Sequence, residues 1–275
     1  RDRSVSRGLG DVYKRQGAHG FVGNRLMQDL DDTVAAPSMR GMSEEQIRNM
    51  IEKSRADVII HTAAISDVGT CEKDPGASYE ANVRLPLFLA KAAKEQKLIC
   101  FSSDQVYRGC AGEGPYKEED ASPCNVYGRH KLEMEQRVLD VKPDAVMLRA
   151  EWMYDYPTKR SNYLRMLLNE KQVLTFGKQY RGITYLREVA ENMPKIFMLP
   201  GGVYNFGSET KQTMYDITCE MLHFLKSDRK PEEVPPAHNL WMDCTKAKER
   251  GILFSDAKEG LKRCLKDYHL AKDRE

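Results

Sequence analysis

The chain has 275 residues, with 43 Lys and Arg against 41 Asp and Glu, which leaves a net charge of +2. That length allows one large α/β unit, or a nucleotide domain with a smaller partner, while the balanced, scattered charge leaves no nucleic-acid footprint. No apolar run approaches the ~20 residues of a membrane span, and no apolar stretch follows the basic N-terminus as a signal peptide requires.

The start of the chain is unusual. A parallel strand ahead of a glycine turn is buried on both faces and should be nearly all apolar, yet residues 11–16 read Asp-Val-Tyr-Lys-Arg-Gln. Residues 1–16 therefore read as a non-native segment, such as a cloning or assembly scar, with an atypical but genuine first strand as the alternative. From Gly17 onward the pattern is regular. Val22, Leu26 and Leu30 recur at helical spacing after Gly17-Ala18-His19-Gly20-Phe21-Val22-Gly23, so a helix should begin within that turn. Residues 33–36 form a short strand. Ser43 and Gln46 make a capping-box pattern before Ile47, Met50 and Ile51. Residues 58–60 form a buried strand, 78–95 a helix and 98–101 another strand. A helix over 126–139 puts Tyr127 and Lys131 on one face, and a strand follows at 145–148. Alternating strands and helices predict an α/β fold with a Rossmann-type, doubly wound parallel sheet.

Beyond Arg149 the rhythm loosens into a stretch rich in Tyr, Arg and Asn that suits a ligand-facing lobe. A helix over 184–198 and a strand over 203–206 would return to the main sheet. Helices near 213–226 and 257–268 follow, with Pro231, Pro235 and Pro236 in the loop between them. The division expected is a dinucleotide-binding domain over 1–150 and a mainly substrate-binding lobe over 151–275, with about 184–206 rejoining the sheet. The seven cysteines are an odd number with no Cys-x-x-Cys pair. They suggest free thiols in a reducing cytoplasm and neither a disulfide framework nor a metal site.

Three groups of residues carry chemistry. In the turn from Gly17 through His19, Gly20, Phe21 and Val22 to Gly23, the glycines permit a tight bend, close approach of a pyrophosphate and helix–strand packing. The helix N-terminus adds N–H donors for the phosphates. The residue after the second strand selects between dinucleotides, because an acid there would repel a 2′-phosphate. Ser38 and Arg40 occupy that segment and no acid does, which favours NADP(H), with NAD(H) as the alternative and a solvated Arg40 as the plainer reading. Ser103, Tyr127 and Lys131 form the reactive group. A carbonyl accepting hydride needs a proton at oxygen. Tyr127 can give it, a nearby ammonium lowers its reference pKa of ~10, and Ser103 can hold the carbonyl by a hydrogen bond. A surface Tyr and Lys on an amphipathic helix is the plainer alternative.

These residues sit in longer motifs. They include His-Thr-Ala-Ala at 61–64, Glu-Lys-Asp-Pro at 72–75, Ala81-Asn82, and Ser-Ser-Asp-Gln-Val-Tyr at 102–107. Pro115-Tyr116, the stretch Asn-Val-Tyr-Gly-Arg-His-Lys-Leu-Glu at 125–133 and Leu-Arg-Ala-Glu-Trp at 148–152 follow, then Asn239-Leu240 and Asp243-Cys244-Thr245-Lys246. Over nearly its whole length the chain resembles the extended short-chain dehydrogenase/reductase family, and within it the dTDP-4-dehydrorhamnose reductase branch. The resemblance implies that Tyr127 is the acid, that Lys131 binds the ribose and lowers the tyrosine pKa, and that Ser103 takes the Ser/Thr role. It implies that Ala63, Ala64 and Asn82 serve the cofactor, and that Asp104 and Trp152 face the substrate beside Ser103. It implies reduction of a 4-keto nucleotide sugar. A homodimer is an open alternative to a monomer. Ile65 and Gly69 stand where the branch has aromatic and acidic residues, and Arg181-Gly182-Ile183-Thr184 replaces its Gly-Ser-Pro-Thr. A nucleotide-sugar epimerase or dehydratase is the second reading. The third is a non-catalytic, cofactor-binding regulatory subunit like that of methionine adenosyltransferase, which the same branch also resembles.

Overall fold

A computed structural model of the chain describes residues 20–158 and 161–270, together with the backbone of Tyr13–Gln16. Gly17, Ala18 and His19, and residues 1–12 of the suspected scar over 1–16, lie outside the described residues. The backbone of Tyr13–Gln16 does form a strand, β1. It is followed by α1 (Phe21–Asp29), β2 (Thr33–Ala35), α2 (Glu44–Ser54) and β3 (Val58–His61). Then come α3 (Val68–Lys73), α4 (Pro75–Tyr79), α5 (Leu85–Ala92), β4 (Lys97–Ser103), α6 (Val126–Val141) and β5 (Val146–Ala150). The second half carries β6 (Trp152–Tyr154), α7 (Tyr163–Leu168), β7 (Thr175–Phe176), β8 (Ile183–Tyr185), α8 (Leu186–Ile196) and β9 (Gly202–Phe206). It closes with α9 (Met214–Phe224), β10 (Glu232–Glu233), α10 (Thr245–Lys248) and α11 (Ala257–Asp267).

Six strands form the main sheet in the order β2-β1-β3-β4-β5-β9. The ladders joining β2, β1, β3 and β4 are parallel, as expected when helices form the crossovers. By chain contacts the molecule divides into two interleaved units. The first comprises Arg1–Ser102, Asn125–Leu148 and Ile196–Val203, and the second Ser103–Cys124, Arg149–Lys195 and Tyr204–Glu275.

The first unit buries a core of Ile47, Ile51, Ile59, Leu89, Leu98, Met134, Val138 and Met147. Each such side chain, fully buried, contributes roughly 1.5–3 kcal/mol. The capping box at Ser43 forms as the sequence suggests: Gln46 N–H donates to Ser43 Oγ, and Ser43 N–H donates to Gln46 Oε1. The second unit has its own core around Tyr154, Tyr163, Leu164, Phe176, Tyr185, Ile217, Met221 and Leu261.

Two expectations need correction. The single helix over 78–95 is broken by a π-helical turn at Glu80–Arg84, where the Leu85 N–H reaches back to the Glu80 carbonyl. Pro86 explains the break. It has no N–H for the carbonyl four residues earlier, and its ring would clash with that carbonyl. The helix over 184–198 likewise begins as a strand: Ile183–Tyr185 pairs in parallel with Trp152–Tyr154, and helix starts only at Leu186. The β-branched and aromatic residues Ile183, Thr184 and Tyr185 favour the extended state, and all three are buried there.

Candidate functional site

In the first unit, β3 ends at His61 and the chain continues through Ala63, Ala64 and Ile65. Ala63, Ala64 and Ile65, with Ser38, Arg40, Leu85 and Phe88, line a cavity of about 690 Å³. Ser38 and Arg40 are exposed at its rim, and the Arg40 N–H donates to Ser38 Oγ at 3.4 Å. Helix α1 opens with Gly20 as its N-cap, and among the described residues no side chain caps its first turn. The amides of Phe21, Val22 and Gly23 lie in that first turn, where a helix N-terminus can hold a phosphate. A cavity with Ala63, Ala64, Leu85 and Phe88 in its wall, Ser38 and Arg40 at its rim and the Arg84–Glu80 ion pair beside them, near the β3 end of a parallel sheet, has the chemistry to hold a phosphorylated dinucleotide.

Asn82 does not line this cavity. It is fully buried in the π turn, where its Nδ2 donates to the Ile65 carbonyl at 2.9 Å and to Ser78 Oγ at 3.2 Å. It thus braces the segment that carries Ala63 and Ala64. Ser78 Oγ also meets His130 Nδ1 at 2.8 Å, linking the brace to α6.

Helix α6 positions Tyr127 and Lys131. Asn125 caps it, its side chain accepting from the Gly128 N–H at 2.7 Å, and Glu72 Oε1 accepts the Val126 N–H at 2.7 Å. Tyr127 is buried and packs against Ile65, Val68, Cys71 and Val126, so one residue, Ile65, borders both the cavity and the tyrosine. Lys131 is almost wholly buried. Its Nζ donates to the Phe101 carbonyl at 2.7 Å and lies 5.9 Å from the centre of the Tyr127 ring. Burial lowers the Lys131 pKa to about 8, opposed by the neighbouring Cys100, Glu135 and Cys71. A lysine at that value is still mostly an ammonium near neutrality, but loses its proton more readily than a free one. His61 feels the same environment: burial first, and then the Lys131 charge, lower its pKa to about 3, so it stays neutral.

Sequence reasoning missed Glu135. It is buried in the same helix and accepts a short hydrogen bond from Ser102 Oγ. The signal was present, because Tyr127, Lys131 and Glu135 recur every four residues on one helical face.

In the second unit, Ser103 is buried at the end of β4. Its Oγ accepts the Gln105 N–H at 3.2 Å and donates to Asp104 Oδ1 at 3.1 Å. Asp104 is 2% exposed and pairs with Arg181, Nη2 to Oδ2 at 2.9 Å. The Arg181 guanidinium lies 5.3 Å over the Trp152 ring. Ser103, Asp104 and Trp152 are thereby joined by a residue that sequence reasoning named only as a departure from its family. The motif near 239–243 closes the same unit. Asn239 Oδ1 accepts the Tyr180 N–H, Asn239 Nδ2 donates to the Glu113 carbonyl, and the Asp243 N–H donates to the Tyr116 carbonyl.

Residues 15–270 match the sequence model of one family, described as the RmlD substrate binding domain. The chain belongs to this family. The resemblance noted from motifs to extended short-chain reductases is thus borne out, and so is the Rossmann-like α/β fold. Among relatives, the dTDP-4-dehydrorhamnose reductase of Aggregatibacter actinomycetemcomitans is 27% identical over 238 residues, 80% of this chain and 81% of that protein. The methionine adenosyltransferase 2 subunit beta of Danio rerio is 30% identical over 191 residues, 65% of this chain and 58% of that protein. Among solved structures, the dTDP-4-dehydrorhamnose reductase of Bacillus anthracis in complex with NADP superposes with a TM-score of 0.84. It covers 95% of this chain and 100% of that one at 21% identity, a likeness of fold. Among the described residues, no helix of this family member is long and apolar enough to cross a membrane, and all seven cysteines are free.

Arg40 offers a direct check on the rim. Arg40→Ala should weaken NADPH binding by roughly tenfold or more, the scale of a lost charge-assisted hydrogen bond, and leave NADH binding nearly unchanged. Equal weakening of both, in fluorescence titrations, would show that Arg40 does not meet the 2′-phosphate.

Proposed function

We propose that this chain is an NADP(H)-dependent reductase of a 4-keto nucleotide sugar, in which Tyr127, Lys131 and Ser103 act on the carbonyl. The observation that carries this reading is the buried Lys131 ammonium, anchored on Phe101 and set beside Tyr127, whose packing partner Ile65 walls the dinucleotide-sized cavity. The family match and the names of the relatives support the same reading.

Bound reduced nicotinamide would supply the hydride; the protein supplies everything else. The first turn of α1 would hold the phosphates, and Ser38 and Arg40 would hold the 2′-phosphate. Ser103 orients the keto oxygen by a hydrogen bond. Tyr127 gives its phenolic proton to that oxygen as negative charge develops there, and the Lys131 ammonium stabilises the phenolate left behind. Glu135 keeps a counter-charge near Lys131, which limits how far burial can lower its pKa. The free cysteines fit a reducing cytoplasm.

The test is steady-state oxidation of NADPH and NADH with a panel of 4-keto nucleotide sugars. Net oxidation of NADPH with one of them is the expected result. Epimerisation without cofactor consumption would overturn it in favour of an epimerase. Tight cofactor binding with no turnover on any sugar would favour a regulatory subunit, the reading that the likeness to methionine adenosyltransferase 2 subunit beta supports.

A further inference from the structure

A further buried carboxyl, Glu151, lies in the second unit and has no part in the chemistry above. It is 6% exposed, between β5 and β6. Its Oε1 accepts from Thr184 Oγ1 at 2.5 Å and from the Ser208 N–H at 2.7 Å. Two glycines close around it. A Cβ at Gly182 would stand 1.9 Å from Oε2, and one at Gly207 would stand 2.5 Å from Oε1. The backbone therefore forms a niche that fits a carboxyl and little more.

Burial pushes the Glu151 pKa up to about 8; the Thr184 and Ser208 hydrogen bonds and the Arg181 charge hold it down, while Asp104 raises it further. The charged and titratable groups facing it are Asp104, Arg181 and the Cys244 thiol, whose own pKa is raised well above its usual value by burial and then by Glu151. Near neutrality Glu151 keeps its proton. Asp104 and Arg181 then balance, and the group of three carries no net charge. Above pH 8 it carries one negative charge.

Arg181 is the member open to solvent, with its side chain 26% exposed. Nε and Nη2 both contact Asp104 Oδ2, at 3.1 and 2.9 Å, and the Trp152 ring supports the guanidinium plane. A fork held in this way has already lost the rotamer freedom that anion binding would otherwise cost.

We propose that Arg181, fixed by Asp104 and Trp152, is an anion-reading residue that takes the diphosphate of the nucleotide-sugar substrate, and that the Glu151 carboxyl beside it sets the charge of this subsite. The identity of the ligand rests on the reductase reading; the anion site does not. As pH rises through about 8, ionised Glu151 turns the local field negative and weakens the hold on an anion. A sugar carboxylate shares this chemistry with a diphosphate, so both are tested.

Calorimetric titration reads binding and not turnover, so failure of the reduction assay would leave this test intact. The probes are dTDP-glucose and D-glucuronate, with wild type, Arg181→Gln and Glu151→Gln. Arg181→Gln should weaken dTDP-glucose binding roughly ten- to a hundredfold, the range for a hydrogen bond to a charged group. Wild-type affinity should fall several-fold between pH 7 and 9, and Glu151→Gln should remove that fall. Unchanged dTDP-glucose affinity in Arg181→Gln overturns the anion site. Arg181-dependent binding of D-glucuronate, with dTDP-glucose indifferent to Arg181, overturns the diphosphate assignment. A wild-type affinity that is flat from pH 7 to 9 removes Glu151 from the proposal, and this holds even if Glu151→Gln fails to fold.

Discussion

Tyr127→Phe is expected to reduce turnover of the keto sugar by ~10²–10⁴, the usual scale for losing a general acid, while NADPH affinity stays within a few-fold of wild type. The ring packs against Ile65, Val68 and Cys71, and Phe keeps that packing. Only the hydroxyl is lost. Lys131→Ala should damage both cofactor binding and rate, because it leaves a cavity in the buried space now filled by the ammonium and its stem, and it leaves Glu135 without its neighbouring cation. Single-turnover rates and cofactor titrations separate the two variants. If Tyr127→Phe retains near-wild-type turnover, another group protonates the sugar oxygen.

A large stability effect is expected at Gly182. A methyl group there would meet Glu151 Oε2 at 1.9 Å and the Ser208 carbonyl oxygen at 2.2 Å. Neither neighbour can give way cheaply, because one is held by Thr184 and the Ser208 amide and the other is main chain. Gly182→Ala should therefore cost at least the ~1–3 kcal/mol typical of overpacking, plus part of the Glu151 network. Gly41 is the control for steric space. It has a positive φ, but nothing lies within 4 Å of the added Cβ, so Gly41→Ala pays only for backbone strain. A thermal melt in which Gly182→Ala loses no more than Gly41→Ala would show that the niche relaxes. The same niche makes stability depend on pH. The unfolded Glu151 ionises near its ordinary value of 4.5 and the folded one near 8. Its contribution to stability is therefore fully present below about 4.5 and is lost as pH rises to about 8.

The repeating parts of the fold were legible because period and chemistry agreed. Val58–His61 reads as an apolar run and is a buried central strand. Ser43 and Gln46 read as a capping box and make both hydrogen bonds. Tyr127 and Lys131 read as neighbours on one helical face, and Lys131 lies over the tyrosine ring. The π turn was not legible from periodicity, because Leu85 and Leu89 keep helical spacing just beyond it; only Pro86 marked the missing donor. Thr184 and Tyr185 read as the start of a helix because a strand of three residues is too short to show a two-residue period. Glu151 was passed over because in sequence it is one acid beside a tryptophan. Its significance comes from Gly182, Thr184, Gly207 and Ser208, which are 31 to 57 residues away along the chain.

The π turn at Glu80–Arg84 also bears on which changes of chain length the first unit can absorb. A wide turn holds one residue more than the helix on either side of it needs. Deleting one residue inside it would keep the buried faces of Pro75–Tyr79 and Leu85–Ala92 in phase, with Pro86 kinking the helix at the join. The same deletion within Leu85–Ala92 would rotate everything beyond it by about 100° and turn Leu89 away from the core. The cost of shortening inside the turn falls instead on Asn82, whose hold on the Ile65 carbonyl depends on the bulge. The segment thus has one place where its length is adjustable without unfolding, and that place is the one that braces the wall of the cofactor cavity.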